Sequence, residues 1–571
     1  YENFGQPLNR IRELNSRAPS VARDDNNFAP RFGFAWSPFG RTAVRGGYAM
    51  MYNPIILNIP LLLWQSGPIS PEFVAFRFGG GFTSVLTPSG SFPRAPFDIA
   101  AVNNAKVRGC STTRDLVVTG TVPLLDCAAQ DTVSPDLANP YVHQFSLGIQ
   151  QELARNLAFE VGYVGSKGTK LFLREDNNPY RGWDVTGTLP SCPAGSFSPS
   201  AFRCILNRTN TTRGAISTVT NGGSSIYHSL QASVTRRFSP VGNWGNLGFS
   251  VAYTWSHNID NASEIFGPGV RFLSVSQGGG FSSASFFNVI TSVIGLDTVE
   301  AITPFAQDPN NLKPERGNSS FDRRHRLVGS YLWTIRPNDR NAFTGGWSLA
   351  GIVTWQSGQP FSPLNAIPGS VCSDYNGDGR ITNDRPAIGD PNAGDSRIAL
   401  INLAVNPTCS RNGTLSYVDV FGVPIDPATA KYVQVPLGVA SYQPFNVGSS
   451  TFFAGSAGRN IIEGPNFINW DVSILKDFSF GERARLQFRW EVYNVLNRNN
   501  PGNALGNVFA TDAQPSPGFA FSPRFTPAGV TGVIPENAID ATDITGRRTF
   551  LSTEFMNTST RRMQFGLKLI W

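Results

Sequence analysis

Of the 571 residues only 15% are charged and 12% are aromatic, and glycine (57) and proline (41) are plentiful, a balance that fits apolar residues interleaved with polar ones rather than clustered. A helical membrane span is excluded, because the longest oily run, Ile55 to Trp64, is broken by Asn58 and Pro60 and falls short of the roughly 20 residues needed. The net charge of +7 does not signal nucleic acid, since the basic residues (Arg236 and Arg237, Arg323, Arg324 and Arg326, Arg561 and Arg562) are dispersed along the chain instead of forming one stripe with stacking aromatics.

Period-two alternation predicts about eleven strands. In chain order they lie near residues 28–39 and 42–53, joined by a short turn at Ser37 to Arg41, then 141–153 and 156–166 around Ala154 to Asn156. Next come 225–239 and 246–258, 324–335 and 346–357, 466–479 and 483–497 around Gly481 and Glu482, and a terminal strand at 561–571. Long loops are expected at 54–140, 167–224, 259–323, 358–465 and 498–560.

The strand from Arg483 to Tyr493 shows the pattern best: Ala484, Leu486, Phe488, Trp490 and Val492 make one face, while Arg483, Arg485, Gln487, Arg489, Glu491 and Tyr493 make the other. The last strand alternates Met563, Phe565, Leu567, Leu569 and Trp571 against Gln564, Gly566, Lys568 and Ile570. An apolar face of this kind suits a second sheet in a soluble sandwich or acyl chains around a barrel, and periodicity alone does not separate the two. Strict alternation of short turns with long loops is the plan of an outer-membrane barrel, and sandwiches rarely tolerate so many long connections.

The predicted fold is therefore all-β, an antiparallel transmembrane outer-membrane β-barrel. Its polar positions Gln144, Ser146 and Gln150, Gln231 with Ser229, Ser233 and Thr235, and Arg485, Gln487, Arg489 and Glu491 are expected to face the lumen. Trp255, Trp333, Trp347, Trp355 and Tyr163 suit interfacial aromatic girdles.

Six cysteines fall two by two in three long loops, so local disulfides are expected between Cys110 and Cys127, Cys192 and Cys204, and Cys372 and Cys409. Sequence alone leaves other connectivities open, but oxidised loops imply an oxidising exterior. Within the fourth long loop, Asp374, Asn376 and Asp378 followed by Gly379 reproduce the start of a calcium loop, with the Arg380 carbonyl and Thr382 at later ligand positions. Arg385 stands where the bidentate carboxylate belongs and Asp384 is the nearest substitute, so Ca2+ competes with a plain Asp/Asn/Gly turn.

Catalytic constellations are not expected. His143, His228, His257 and His325 are scattered without metalloprotease spacing, and Gly165 to Lys170 lacks the phosphate-loop spacing and a following helix, which leaves a strand end entering a loop.

Four stretches, Phe28 to Asn53, Asn139 to Gly168, Phe321 to Pro360 and Gly458 to Asn500, resemble the barrel of Oar-like TonB-dependent transporters. That resemblance implies a signal peptide, a regulatory-like domain, a TonB-box region and a plug ahead of a 22-stranded barrel. None of these is visible in a chain that opens at Tyr1, so the expectation is a C-terminal half. The same resemblance makes Phe565, Leu567, Leu569 and Trp571 an assembly signal for the barrel-assembly machinery. It implies a lipid bilayer and lipopolysaccharide as surroundings, a TonB energy complex acting through the plug, and a bulky unknown substrate. The alternative class is a surface binding or adhesion barrel without active transport; an open diffusion porin is a third.

Overall fold

The computed structural model describes residues 27–53, 130–179, 216–263, 305–365, 383–480, 484–500 and 561–570, apart from a few positions within them, together with Asp24, Thr209, Cys372, Tyr375, Asn376 and short backbone stretches at 76–77 and 81–82. Eleven strands follow one another in chain order across one sheet: β1 Arg31–Phe39, β2 Thr42–Tyr52, β3 Tyr141–Ala154, β4 Leu157–Asp176, β5 Ile216–Pro240, β6 Asn246–Asp260, β7 His325–Ile335, β8 Trp347–Gln356, β9 Phe467–Phe480, β10 Ala484–Tyr493 and β11 Arg562–Ile570. Every neighbouring pair is antiparallel. Among the described residues there is no α-helix, and no helix is long and apolar enough to cross a membrane.

Strand register gives the sheet two chemically distinct faces, because opposed residues in an antiparallel ladder project to the same side. Arg45, Gly148, Gly162, Gln231, Thr254, Arg326 and Gln356 lie opposite one another in successive strands. On the same face farther along, Ala350, Ser473, Glu491 and Gln564 are aligned. The other face aligns Gly46, Leu147, Tyr163, Leu230, Trp255 and His325, then Leu349, Ile474, Trp490 and Phe565. Its large side chains are exposed, Phe32, Leu147, Trp255 and Phe565 among them, and Leu567 reaches 72%. Soluble monomers rarely expose an apolar surface of this extent, which marks a face that meets protein or lipid.

Two cross-strand pairs show how that apolar face is filled. A Cβ at Gly46 would strike the Phe34 ring, and one at Gly165 would strike the Phe145 ring, so each aromatic lies flat over a glycine of the next strand. Such pairing covers exposed backbone and fixes register.

Connections at one end are short: residues 40–41, 155–156, 241–245, 336–346 and 481–483. Those at the other end run over 53–140, 177–215, 261–324, 357–466 and 494–561. Strand ends depart from the sequence expectation in two places. The β4/β5 hairpin continues past the expected limits of 166 and 225, to Asp176 and from Ile216, since Phe172, Leu173 and Val219 are buried there and a strand at Gln130–Val133 pairs in parallel with β5. Gly165 to Lys170 thus lies inside β4 rather than at its end. β10 stops at Tyr493 rather than 497, because Asn494 (φ 52°) and Asn497 (φ 48°) enter the left-handed region that asparagine accepts and that no strand uses.

The connection 357–466, where a long loop is expected, carries a folded unit. Short strands Ala387–Ile388, Ile398–Ile401, Tyr417–Val418 and Tyr432–Val433 make a small sheet in which Ile398–Ile401 and Tyr432–Val433 run parallel. Its core gathers Tyr375, Tyr417, Val433, Val435, Phe445 and Phe452 around a disulfide between Cys372 and Cys409.

Candidate functional site

The polar face is the concave one. A depression of about 490 Å³ opens on it, lined by Arg45, Gln150, Glu160, Gln231, Ser233 and Thr254. Small residues in the middle, Gly47, Gly148 and Gly162, leave the backbone close to whatever occupies that hollow. Side chains around it are tied by cross-strand hydrogen bonds: the Gln150 amide donates to Glu160 Oε2 at 2.9 Å, and the Thr235 and Ser250 hydroxyls meet at 3.3 Å. Toward β11 the wall carries both charge signs. The Gln487 amide donates to Asp477 Oδ1 at 2.9 Å, Arg489 Nε donates to Gln487 Oε1 at 2.6 Å, and Arg485 stands 3.6 Å from Asp477.

Register puts Gln144, Gln231, Arg485, Gln487, Arg489 and Glu491 all on this face, with Ser146, Gln150, Ser229, Ser233 and Thr235 beside them. Phe565, Leu567 and Leu569 lie on the apolar face, while Trp571 lies outside the described residues. Cys110, Cys127, Cys192 and Cys204 also lie outside them.

Above the long-connection end of β6 to β9, the folded unit is fastened by a buried charge cluster that the sequence did not reveal. Arg385 donates twice to Glu315, Nη1 to Oε2 and Nη2 to Oε1, each at 2.9 Å, and Nε donates to the Ala457 carbonyl at 2.9 Å. Arg459 Nε donates to the Glu315 carbonyl at 2.7 Å, and its Nη2 reaches both the carbonyl and carboxylate of Asp260 at the end of β6. Burial would raise the Glu315 pKa, but Arg385, its hydrogen bonds, the Gln307 backbone N–H and Arg459 outweigh it and hold the carboxyl below its usual range. Arg385 is raised for the reciprocal reason, the Glu315 charge overcoming burial. Burial pushes the Tyr417 phenol up, and burial followed by the Asp395 carboxylate does the same to Tyr432.

Arg385, at the position where a calcium loop would carry a carboxylate, is instead paired with Glu315. Of the candidate calcium positions, Asp374, Asp378, Arg380 and Thr382 lie outside the described residues. Asn376 donates its amide to the Gln307 carbonyl at 3.4 Å, and Asp384 is fully buried beside Arg385. Among the described residues no three His, Cys, Asp or Glu groups are placed to hold a metal.

The histidines are not scattered in space. Tyr48 and His143, Tyr163 and His228, and Tyr253 and His325 form three hydroxyl to Nδ1 hydrogen bonds of 2.7, 2.5 and 2.8 Å. Each spans the first strand of a long-connection hairpin (β2, β4 or β6) and the strand that follows it (β3, β5 or β7), always on the same diagonal and always on the apolar face. His257 Nε2 instead meets Asn318 Oδ1 at 2.9 Å. A tyrosine near the end of one strand and a histidine near the start of the next was the signal available in the sequence.

A family model described as outer membrane beta barrel domain matches residues 12–524. No curated protein matches by sequence. Among solved structures, the outer membrane transporter YddB from Escherichia coli aligns at 11% identity and TM-score 0.35, over 83% of this chain and 38% of its own. The siderophore receptor PirA from Pseudomonas aeruginosa aligns at 9% identity and TM-score 0.27, over 83% and 39%. The FrpB iron transporter from Neisseria meningitidis aligns at 9% identity and TM-score 0.30, over 84% and 36%. The chain thus spans less than two fifths of each of these structures.

Proposed function

The chain belongs to the outer membrane beta barrel domain family and its place is the outer membrane, and from that premise we propose that it is wall and cap of an Oar-like TonB-dependent transporter that moves a bulky substrate. The observation that carries this reading is the two-faced sheet, with a concave polar wall on one side and an exposed apolar face on the other. Acyl chains solvate the apolar face, and the polar wall faces a lumen filled by a plug or by cargo. The five long connections stand outside the cell. No catalytic role is assigned to any side chain.

The sheet supports one more step. Among the described residues β1 and β11 each pair on one side only, and a bilayer offers no partner for an open edge. Further strands therefore complete the wall, and a 22-stranded parent barrel with its own plug and energy-coupling segment accommodates these eleven. The test is uptake: substrate accumulation lost when the inner-membrane energy complex is disabled supports the transporter, and accumulation unchanged in that strain overturns it.

One feature favours the alternative of a surface binding barrel. Phe421, Val423 and Phe453 of the folded unit are exposed, and an oxidised, internally packed unit holding out apolar side chains suits partner capture without transport. Binding to cells that persists after the energy complex is disabled, with no accumulation inside, identifies that class. The candidate calcium loop at Asp374 to Asp384 belongs to this unit in either case; a chelator that lowers its unfolding temperature supports occupancy by Ca2+, and an unchanged temperature removes it.

A further inference from the structure

We propose that the outward rim of β2 to β7 binds phosphate-bearing headgroups of the outer-leaflet lipid, with His143, His228, His325 and Lys167 as the donors. The proposal rests on the reading that the apolar face meets lipid and that the long connections stand outside the cell.

Position is the first argument. His143 and His325 lie on the outward face within a few rungs of the long-connection ends of β3 and β7; His228, twelve residues past the start of β5, stands at the same level because it faces Gly165 and, across β4, Phe145, and the β4/β5 hairpin continues outward beyond it. Acyl chains end and headgroups begin at that level. Tyr141 packs edge-on against His143 at 5.3 Å, and Trp355 stacks on His325 at 6.0 Å, so the imidazoles stand among the aromatic side chains that favour the interface.

Donor geometry is the second. When the tyrosine hydroxyl donates to Nδ1, the neutral imidazole keeps its proton on Nε2 and presents it away from the strand pair. Among the described residues nothing takes Nε2 of these three rings, in contrast to His257, whose Nε2 is held by Asn318. The same diagonal hydrogen bond in three successive hairpins orients three donors alike. Lys167 lies opposite His143 in the β3/β4 ladder and adds a full positive charge to the same face.

Charge complementarity is the third. The outward positions of these rungs are Tyr48, Met50 and Tyr52 on β2, Tyr141 to Ile149 in alternation on β3, Val161 to Lys167 on β4, Ile226 to Ala232 on β5, Tyr253 to Ile259 on β6, and His325 and Leu327 on β7. No carboxylate occurs among them. A rim with several hydrogen-bond donors, one ammonium group and no acid fits an anion, and the anion at an outer-leaflet surface is the lipid phosphate. Spacing the donors along a band, with rings between them, suits a row of headgroups better than one free ion.

The test uses protein purified from the outer membrane in detergent micelles and titrated with bisphosphorylated lipid A, with dephosphorylated lipid A as control, the bound lipids being counted by native mass spectrometry. The expected result is a preference of at least about five-fold for the phosphorylated form, lost when His143→Asn, His228→Asn and His325→Asn are combined. Equal retention of the two lipids by the native protein, or an unchanged preference in a folded triple variant, overturns the proposal. A heat-modifiable gel band reports folding of the variant. Should the variant not fold, diethylpyrocarbonate labelling of the native protein decides: phosphorylated lipid should shield His143, His228 and His325 while His257 labels equally with either lipid, and equal labelling of all four rings refutes it. Neither readout involves cargo or the energy complex, so failure here is distinct from failure of the transport reading.

Discussion

Glu315 and Arg385 act as a pair whose worth lies in what happens when one is removed. Both side chains are almost fully enclosed, so Glu315→Gln removes the carboxylate that both Nη groups of Arg385 bond and leaves only Asp384 as a neighbouring negative charge, a loss of about 3–5 kcal/mol in the stability of the folded cap. Hydrogen exchange should show it as faster exchange in Ile398–Ile401 with β1 to β11 unchanged. Acid should do the same to the native protein. The folded Glu315 pKa lies below its unfolded value, so the pair contributes fully above the ordinary glutamate value of 4.5 and loses that contribution as pH falls through the depressed folded value. Exchange in the cap of native protein should therefore rise only in acid, while Glu315→Gln should be fast already at neutral pH. Equal exchange in the two proteins at neutral pH would show that the pair does not hold the cap.

Elements respond according to which face they present. Leu567 stands on the apolar face of β11 and Lys568 on the polar one, so Leu567→Arg places a charge against acyl chains at a cost of about 2–4 kcal/mol near the bilayer midplane. Gln487→Leu on the polar face should leave folding into liposomes unaffected. Comparable folding yields for the two variants would reverse the assignment of the faces. Gly165→Val displaces the Phe145 ring that rests on it, and slower folding of the β3/β4 hairpin is expected in a refolding time course. In the cap, replacing Cys372 and Cys409 by serine frees a 37-residue separation, which relaxes the unfolded chain by about 3–4 kcal/mol. The expected outcome is proteolysis confined to 383–463, with β7 to β9 resistant.

At the scale of the molecule the open edges of β1 and β11 govern the prediction. The protein extracted from its native membrane should contain strands that pair with both edges, and intact mass with a peptide map detects them; a monomer consisting of these eleven strands alone would sink the transporter reading. A completed, plugged wall should pass little steady current in a planar bilayer, whereas sustained conductance points to a diffusion pore. How much was legible beforehand differs by element. The eleven strands were readable because period two survives in each of them, from Arg31–Phe39 to Arg562–Ile570. The β4/β5 extension was not, because its extra rungs are buried by Gln130–Val133, a segment distant in sequence. The folded cap escaped for the same reason: its strands are only two to four residues long, too short to display a period.

The sequence by itself determined the sheet and its two faces, since alternation of polar and apolar side chains is a local property that any strand pairing in register must express. It also determined the split between short turns and long connections. Only the tertiary structure decided which distant groups meet: Glu315 with Arg385, Asp260 with Arg459, and each tyrosine with the histidine one strand away. Those contacts depend on register across connections of dozens of residues, and no local pattern encodes the distance between two side chains that the chain brings together only after every intervening strand has paired.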